Sequence, residues 1–87
     1  MPAPTAPAPG IGSYLRDQRK RAGLNQTELG QRLGVHQTVI SDWERGEGLA
    51  SLPRYTSKLV IAIDADAETV QRLWWDKMGG YLLSSAA

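Results

Sequence analysis

The stretch Leu24–Gly46, LNQTELGQRLGVHQTVISDWERG, decides the fold because it holds two short helical patterns separated by a single glycine. Asn25 and Glu28 have the spacing of a capping box, in which each side chain accepts a hydrogen bond from the other residue's backbone N–H. This spacing predicts the start of a helix. Leu29 and Leu33, four residues apart, then lie on one face of that helix.

Gly34 predicts the end of this helix, because glycine adopts the left-handed conformation of a helix end without steric penalty. The next helix is predicted over 37–45, with Ile40 and Trp43 buried. Two helices joined by so short a turn must cross closely, and Gly30 is the small residue that the crossing needs. Glycine inside a helix costs roughly 1 kcal/mol relative to alanine. We expect tight packing of the two helices to offset this cost.

The rest of the chain also follows helical periods and shows no alternating strand pattern. A first helix is predicted over 11–21. Another is predicted over 52–63, with Pro53 in its first turn, where proline is tolerated. Asp66 is placed to cap a last helix. The predicted fold is therefore all-α, a compact domain of five short helices.

Composition excludes several classes of protein. The chain has no cysteine and one histidine, so a disulfide framework and a thiolate zinc site are excluded, and we expect no metal and no cofactor. Residues 1–10 are rich in Pro and Ala, lack the features of a signal peptide and predict a disordered arm. No segment has the ~20 apolar residues that span a bilayer, so we expect a cytoplasmic protein without membrane contact. The domain is expected over 11–80, with a tail over 81–87.

Charge is distributed unevenly along the chain. Residues 10–58 carry eight Lys and Arg residues and five acids, whereas residues 59–87 carry two basic and four acidic residues. An excess of positive charge in the first part indicates an anionic partner for that part.

The spacing of small and apolar residues resembles the helix-turn-helix of the Cro and phage-repressor family. Counting from Gln26, that family has a small residue fifth, glycine ninth, and Ile or Val fifteenth, which correspond here to Gly30, Gly34 and Ile40. The motif spans 26–45, and the resemblance extends over about 11–63. Further matches in the same register are Gly23, Leu24, Asn25, Glu28, Leu29, Trp43, Glu44, Arg45, Gly46 and, before the motif, Arg19.

The resemblance implies a lambda-repressor-like fold and a sequence-specific, double-stranded-DNA-binding transcriptional regulator, which we expect to be a repressor. It also implies a salt bridge between Arg19 and Glu44, which links the first helix to the end of the helix over 37–45. A bidentate pair of this kind would fix the orientation of that helix. The residues expected to build the motif rather than touch DNA are Arg19, Gly30, Gly34, Ile40, Trp43 and Glu44.

If the helix over 37–45 lies in a major groove, its first turn and the residue one turn later face base edges. Gln37 can bond to N6 and N7 of adenine, and Val39 can meet a thymine methyl group. Asp42 can accept from N4 of cytosine or from a neighbouring cation such as Arg45, or can act by disfavouring other bases. The alternative is that these are ordinary polar surface residues. The candidate base-reading residues are Gln37, Thr38, Val39, Ser41 and Asp42.

Phosphate contacts are expected from basic and polar residues around the motif, because such contacts dominate DNA affinity and its salt dependence. The start of the helix at 26 also presents backbone N–H groups that favour an anion. His36 stands where the family often has Ser or Thr. Arg54 lies in a segment that resembles one by which some phage repressors reach the backbone or minor groove. The candidate phosphate-contacting residues are Arg16, Lys20, Asn25, Gln26, His36, Arg45 and Arg54.

Trp74 and Trp75 are neighbours on the last predicted helix and therefore point about 100° apart. Trp74 is predicted to face the core. Trp75, with Tyr81 and Leu82, predicts an apolar patch through which a homodimer forms, since readers of this kind match two-fold half-sites. The alternative is that the tail folds back over Trp75 within one chain.

Two other functions remain open from the sequence. One is a protein-interaction module, such as an antitoxin-like subunit, and the other is the DNA-binding portion of a larger regulator. Salt dependence separates the first from a DNA reader, which loses affinity steeply as salt rises. An enzyme is not expected, because there is no Ser/His/Asp arrangement, phosphate-cradling glycine loop or convergent carboxylate pair. No small-molecule ligand is implied.

Overall fold

The computed structural model describes residues 10–86, and the side chains of residues 10–79. Over 10–86 it contains five α-helices, one 3-10 helix and no strand, which confirms the predicted all-α fold. The elements, in chain order, are α1 (Ile11–Arg21), α2 (Gln26–Leu33), α3 (Gln37–Glu44), the 3-10 helix (Leu49–Tyr55), α4 (Thr56–Ile63) and α5 (Ala67–Ala86).

One apolar core joins all six elements, and Trp43 is the largest side chain fully buried in it. The Trp43 indole Nε1 donates to Gly48 O and to Ser51 Oγ, both at 3.2 Å, so its polar atom is satisfied inside the core. The buried apolar residues are Ile11, Leu15, Leu29, Leu33, Ile40, Trp43, Leu49, Leu52, Leu59, Ile63 and Val70.

The helix ends follow the local signals in the sequence. Asn25 Oδ1 accepts from Glu28 N at 2.7 Å, and Glu28 Oε1 accepts from Asn25 N at 2.9 Å, so the capping box is formed. Gly34 ends α2 in the left-handed conformation, with φ 77°. Before α5, Asp66 Oδ2 accepts from Thr69 Oγ1 at 2.6 Å and from Thr69 N at 2.8 Å. These two hydrogen bonds lower the pKa of the Asp66 carboxyl.

The segment after α3 differs from the prediction. A single helix over 52–63 with Pro53 in its first turn is wrong, because a 3-10 helix occupies Leu49–Tyr55 and α4 begins at Thr56. Pro53 has no N–H with which to make an α-helical bond to Leu49 O. That carbonyl instead accepts from the Trp74 indole Nε1 at 2.6 Å. Helix α3 also ends one residue earlier than predicted, with Arg45 as its C-cap.

The sequence also makes predictions for the two ends of the chain. The disordered arm predicted over 1–10 falls outside the described residues except for Gly10, and stays a prediction. Helix α5 continues to Ala86, and the bounds of the domain over 11–80 and of a tail over 81–87 stay predictions. No helix in the described part of the chain is long and apolar enough to cross a membrane.

Candidate nucleic-acid interface

The crossing of α2 and α3 is as close as the glycines predict. A Cβ added to Gly30 would lie 2.6 Å from Val35 O, closer than Cβ atoms approach other atoms in proteins. Val35 N also donates to Gly30 O at 2.9 Å, which ties the turn to α2. The two helices therefore pack with no room for a side chain at this point, and the turn between them is held rigidly.

His36 begins α3 as its N-cap. Its imidazole Nδ1 accepts from Thr38 N at 3.2 Å and lies 3.0 Å from Thr38 Oγ1. The ring nitrogen thus takes the place of the Ser or Thr oxygen that is frequent in the family at this position. Gln37 and Thr38 follow, and both side chains are exposed in the first turn of α3.

An ion pair fixes the other end of α3 against α1, as the resemblance implied. Arg19 Nε donates to Glu44 Oε2 at 2.6 Å, and Arg19 Nη2 donates to Glu44 Oε1 at 3.1 Å. The two side chains are only 10% and 6% exposed. The hydrogen bond to Glu44 raises the pKa of Arg19 above its ordinary value. A buried bidentate pair has one geometry, so α3 is held at one angle to α1.

Further hydrogen bonds complete this ion-pair cluster. Arg19 Nη1 donates to Leu24 O at 2.9 Å, and Gln26 Nε2 donates to Glu44 Oε1 at 3.2 Å. Over the described side chains, no buried nitrogen or oxygen lacks a partner. The Gln26 side chain, a predicted phosphate contact, is therefore bonded within the protein in this structure.

Gly12 is a second close approach that the sequence analysis missed. A Cβ added to it would lie 2.4 Å from Glu44 O and 3.0 Å from Trp43 O, so the backbone of α1 lies directly against the C-terminal end of α3. The only sequence signal is a glycine in the first turn of a helix, where stronger helix formers are usual. Gly12 and the Arg19–Glu44 pair thus fix the two helices at two points.

The outer face of α3 carries the predicted base-reading residues. Gln37 and Thr38 are exposed, and Val39, Ser41 and Asp42 are half-buried, while Ile40 and Trp43 face the core. The five candidates thus lie at the surface of α3, but Val39 also packs against the core. Their contacts with bases stay predictions.

The predicted phosphate contacts divide into two groups. The Arg16, Lys20 and Arg54 side chains are exposed, on α1 and on the 3-10 helix. The others are engaged within the protein: Asn25 in the capping box, Gln26 with Glu44, His36 as the cap of α3, and Arg45 in ion pairs with Asp42 and Glu47. All seven assignments stay predictions.

Among the described side chains, two large apolar ones are exposed, one on α4 and one on α5. Ile61 is 82% exposed and Trp75 is 59% exposed. Trp75 lines an open groove between the two helices, together with Pro53, Thr56, Val60 and Trp74. The prediction that Trp74 faces the core is confirmed, since it packs against the core and bonds to Leu49 O. The side chains of Tyr81 and Leu82 lie outside those described.

The described side chains include no cluster that could bind a metal ion. No group of three or more His, Cys, Asp or Glu residues among them is close enough together to hold a metal ion.

Comparisons with known proteins agree with this geometry. A family model described as helix-turn-helix matches residues 15–55. The ImmF control region 10 kDa protein of Bacillus phage phi105 is 34% identical over 61 residues, which cover 70% of this chain and 67% of that protein. A Pyrococcus furiosus protein, whose name describes an HTH-type transcriptional regulatory protein, is 39% identical over 41 residues, or 47% of this chain and 13% of its own length. No solved structure matches the chain. The chain belongs to the helix-turn-helix family of Cro and phage-repressor type, a family of DNA-binding transcription regulators.

Proposed function

We propose that this protein is a sequence-specific, double-stranded-DNA-binding repressor that reads the major groove with α3. The observation that carries the proposal is the rigid placement of α3. Gly30 fixes its start and the buried Arg19–Glu44 pair fixes its end, while its outer face remains polar and open. A helix that reads base edges needs a fixed orientation, because hydrogen bonds to bases tolerate little displacement.

Base contacts are assigned to the outer face of α3. Gln37, exposed in the first turn, bonds to N6 and N7 of adenine, and Asp42, one turn later, accepts from N4 of cytosine. Thr38, Val39 and Ser41 flank these two residues. Arg16 and Lys20 on α1 and Arg54 on the 3-10 helix then position the protein by contacts with phosphates.

Selection of random duplexes on the purified protein tests the function. We expect enrichment of one short sequence, with binding that weakens steeply as salt rises, because phosphate contacts release counterions. If the folded protein enriches no sequence, the proposal fails, and the protein-interaction module becomes the better account.

Gln37→Ala is expected to cost on the order of 1–3 kcal/mol on the selected site and to relax the preference at one base pair. The reason is that alanine removes both hydrogen bonds to adenine without altering the exposed start of α3. Titration against a panel of single-base-pair variants measures this. Arg16→Ala is the matched control, because loss of a phosphate contact weakens binding uniformly. A Gln37→Ala variant that behaves like Arg16→Ala would contradict the base-reading role.

A homodimer is part of the same proposal, formed through the C-terminal region that includes Trp75, Tyr81 and Leu82. It is supported by the exposure of Trp75 beside the groove between α4 and α5, since a large apolar side chain open to solvent is typical of an interface. Two copies would then read half-sites about one helical turn apart on the duplex.

Trp75→Ala is expected to convert the dimer into a monomer and to weaken binding to a two-fold site. The cause is the loss of the largest exposed apolar surface described on α5. Sedimentation of the free and DNA-bound protein measures this, and Asp76→Ala, an exposed neighbour on the same helix, is the control. A wild-type protein that sediments as a monomer on DNA would contradict the dimer.

A further inference from the structure

Asp42 presents an acceptor-only group on the face assigned to the bases. A carboxylate has no donor of its own, and phosphates would repel it unless a donor faces it. In the free protein that donor is Arg45, whose Nη2 makes an ion pair with Asp42 Oδ1.

Arg45 is held by two more side chains and not by Asp42 alone. Its Nη1 donates to Ser41 Oγ at 2.7 Å, and its Nη2 lies 3.6 Å from Glu47 Oε1. Glu47 is itself held in place, because its backbone N donates to Asp42 O at 2.7 Å. The guanidinium therefore lies along the end of α3, between two carboxylates.

This arrangement is open to exchange. The side chains of Arg45 and Asp42 are 56% and 42% exposed. An ion pair so accessible to water is weak, in contrast to the buried pair of Arg19 and Glu44. A donor from another molecule can therefore replace Arg45 at Asp42 at little cost.

We propose that Arg45 changes partner when the protein binds its preferred site: cytosine N4 replaces it at Asp42, and the released guanidinium contacts a phosphate. This inference rests on the function proposed above. Arg45 is then a positioning residue in the free protein and a phosphate contact only on the correct sequence. One base pair thus controls both a base contact and a backbone contact.

The bases differ in whether they can drive the exchange. Cytosine presents a donor and no acceptor in the major groove, whereas guanine presents two acceptors, thymine presents O4, and adenine places N7 beside its amino group. An acceptor opposite Asp42 repels the carboxylate, so Asp42 keeps Arg45 as its donor on those sequences. The phosphate contact of Arg45 is then not made.

The salt dependence of binding tests the exchange. Two duplexes are compared: the selected site, and the same site in which another base replaces the cytosine opposite Asp42. That cytosine is located with the variant Asp42→Asn, which should lose its preference at this one position. For the wild-type protein we expect the slope of log affinity against log salt to be steeper on the selected site by about 0.9 per chain bound, the value of one phosphate. Between 50 and 200 mM salt this difference is about 3.5-fold in relative affinity.

Variants separate the exchange from a merely structural role. In Arg45→Gln both duplexes should give the same shallow slope, because the exchanged cation is gone. In Asp42→Asn both should give the same steep slope, because the Asp42 carboxylate no longer holds Arg45 on either sequence. Arg16→Gln should lower the slope by about 0.9 on both duplexes equally. All three side chains are on the surface, so folding is checked by thermal unfolding of each variant.

Equal slopes on the two duplexes for the wild-type protein would overturn the exchange, even with sequence preference intact. This includes the case in which Asp42 and Arg45 stay paired and read the base pair together. Failure to select any site is a different result, because it overturns the proposed function and the exchange with it.

Discussion

Replacing Arg19 by alanine is expected to lower the free energy of unfolding by about 3–5 kcal/mol, because it leaves the Glu44 carboxylate buried without its cation. The Glu44 side chain is only 6% exposed, so water cannot replace the two hydrogen bonds that the guanidinium donates. Leu24 O loses its bond to Arg19 Nη1 as well. A domain of this size has roughly 5–15 kcal/mol of stability in total, so the loss is a large part of it. Chemical unfolding measures the difference.

Two further variants identify the cause of this loss. Arg21→Ala removes the same charge from an exposed position on the same helix and should change stability by no more than about 0.5 kcal/mol. The double variant Arg19→Met, Glu44→Leu removes both charges together and should recover about 2 kcal/mol or more of the loss, since apolar residues replace a buried pair well. If Arg19→Ala were no worse than Arg21→Ala, the pair would not hold α3 against α1.

The two ends of α2 were the part of the fold most fully predictable from sequence, because each depends on residues within one turn. The capping box of Asn25 and Glu28 and the left-handed Gly34 carry their own geometry and needed no knowledge of the rest of the chain. The Arg19–Glu44 pair was predicted on a different basis. The two residues are 25 positions apart, and only the resemblance to a known family placed them together.

The 3-10 helix was not predictable in the same way, because its cause is distant in sequence. Pro53 prevents an α-helical bond to Leu49 O. The indole of Trp74, in α5, donates a hydrogen bond to this carbonyl instead. Arg45 combines both cases at the candidate site. Asp42 is three residues away on α3, so sequence alone offers Arg45 as its cation, whereas the ion pair with Glu47 beyond the end of α3 is a finding of the structure. Local pattern predicts partners within one turn, whereas more distant partners depend on how the chain packs.

Gly12 is the clearest case of such a contact, and it yields the second large prediction. Gly12→Ala is expected to cost about 3 kcal/mol, at the upper end of the usual range for overpacking. The added methyl would lie 2.4 Å from Glu44 O, a backbone atom that cannot swing aside as a flexible side chain can. Helix α1 must therefore move away from α3, which strains the Arg19–Glu44 pair. We expect weaker binding to the selected duplex as well as lower stability, measured by chemical unfolding and by titration.

Gly79→Ala is the matched control, because Gly79 is also inside a helix but has space beside it. A Cβ there would meet the Trp75 ring at 3.5 Å, an ordinary contact distance. Since alanine favours a helix over glycine by roughly 1 kcal/mol, Gly79→Ala should be neutral or stabilising while Gly12→Ala destabilises. Opposite signs for the same substitution would show that the energetic effect comes from the contact of α1 with the end of α3 and not from helix propensity. If both variants were stabilising, the close approach at Gly12 would have no energetic role.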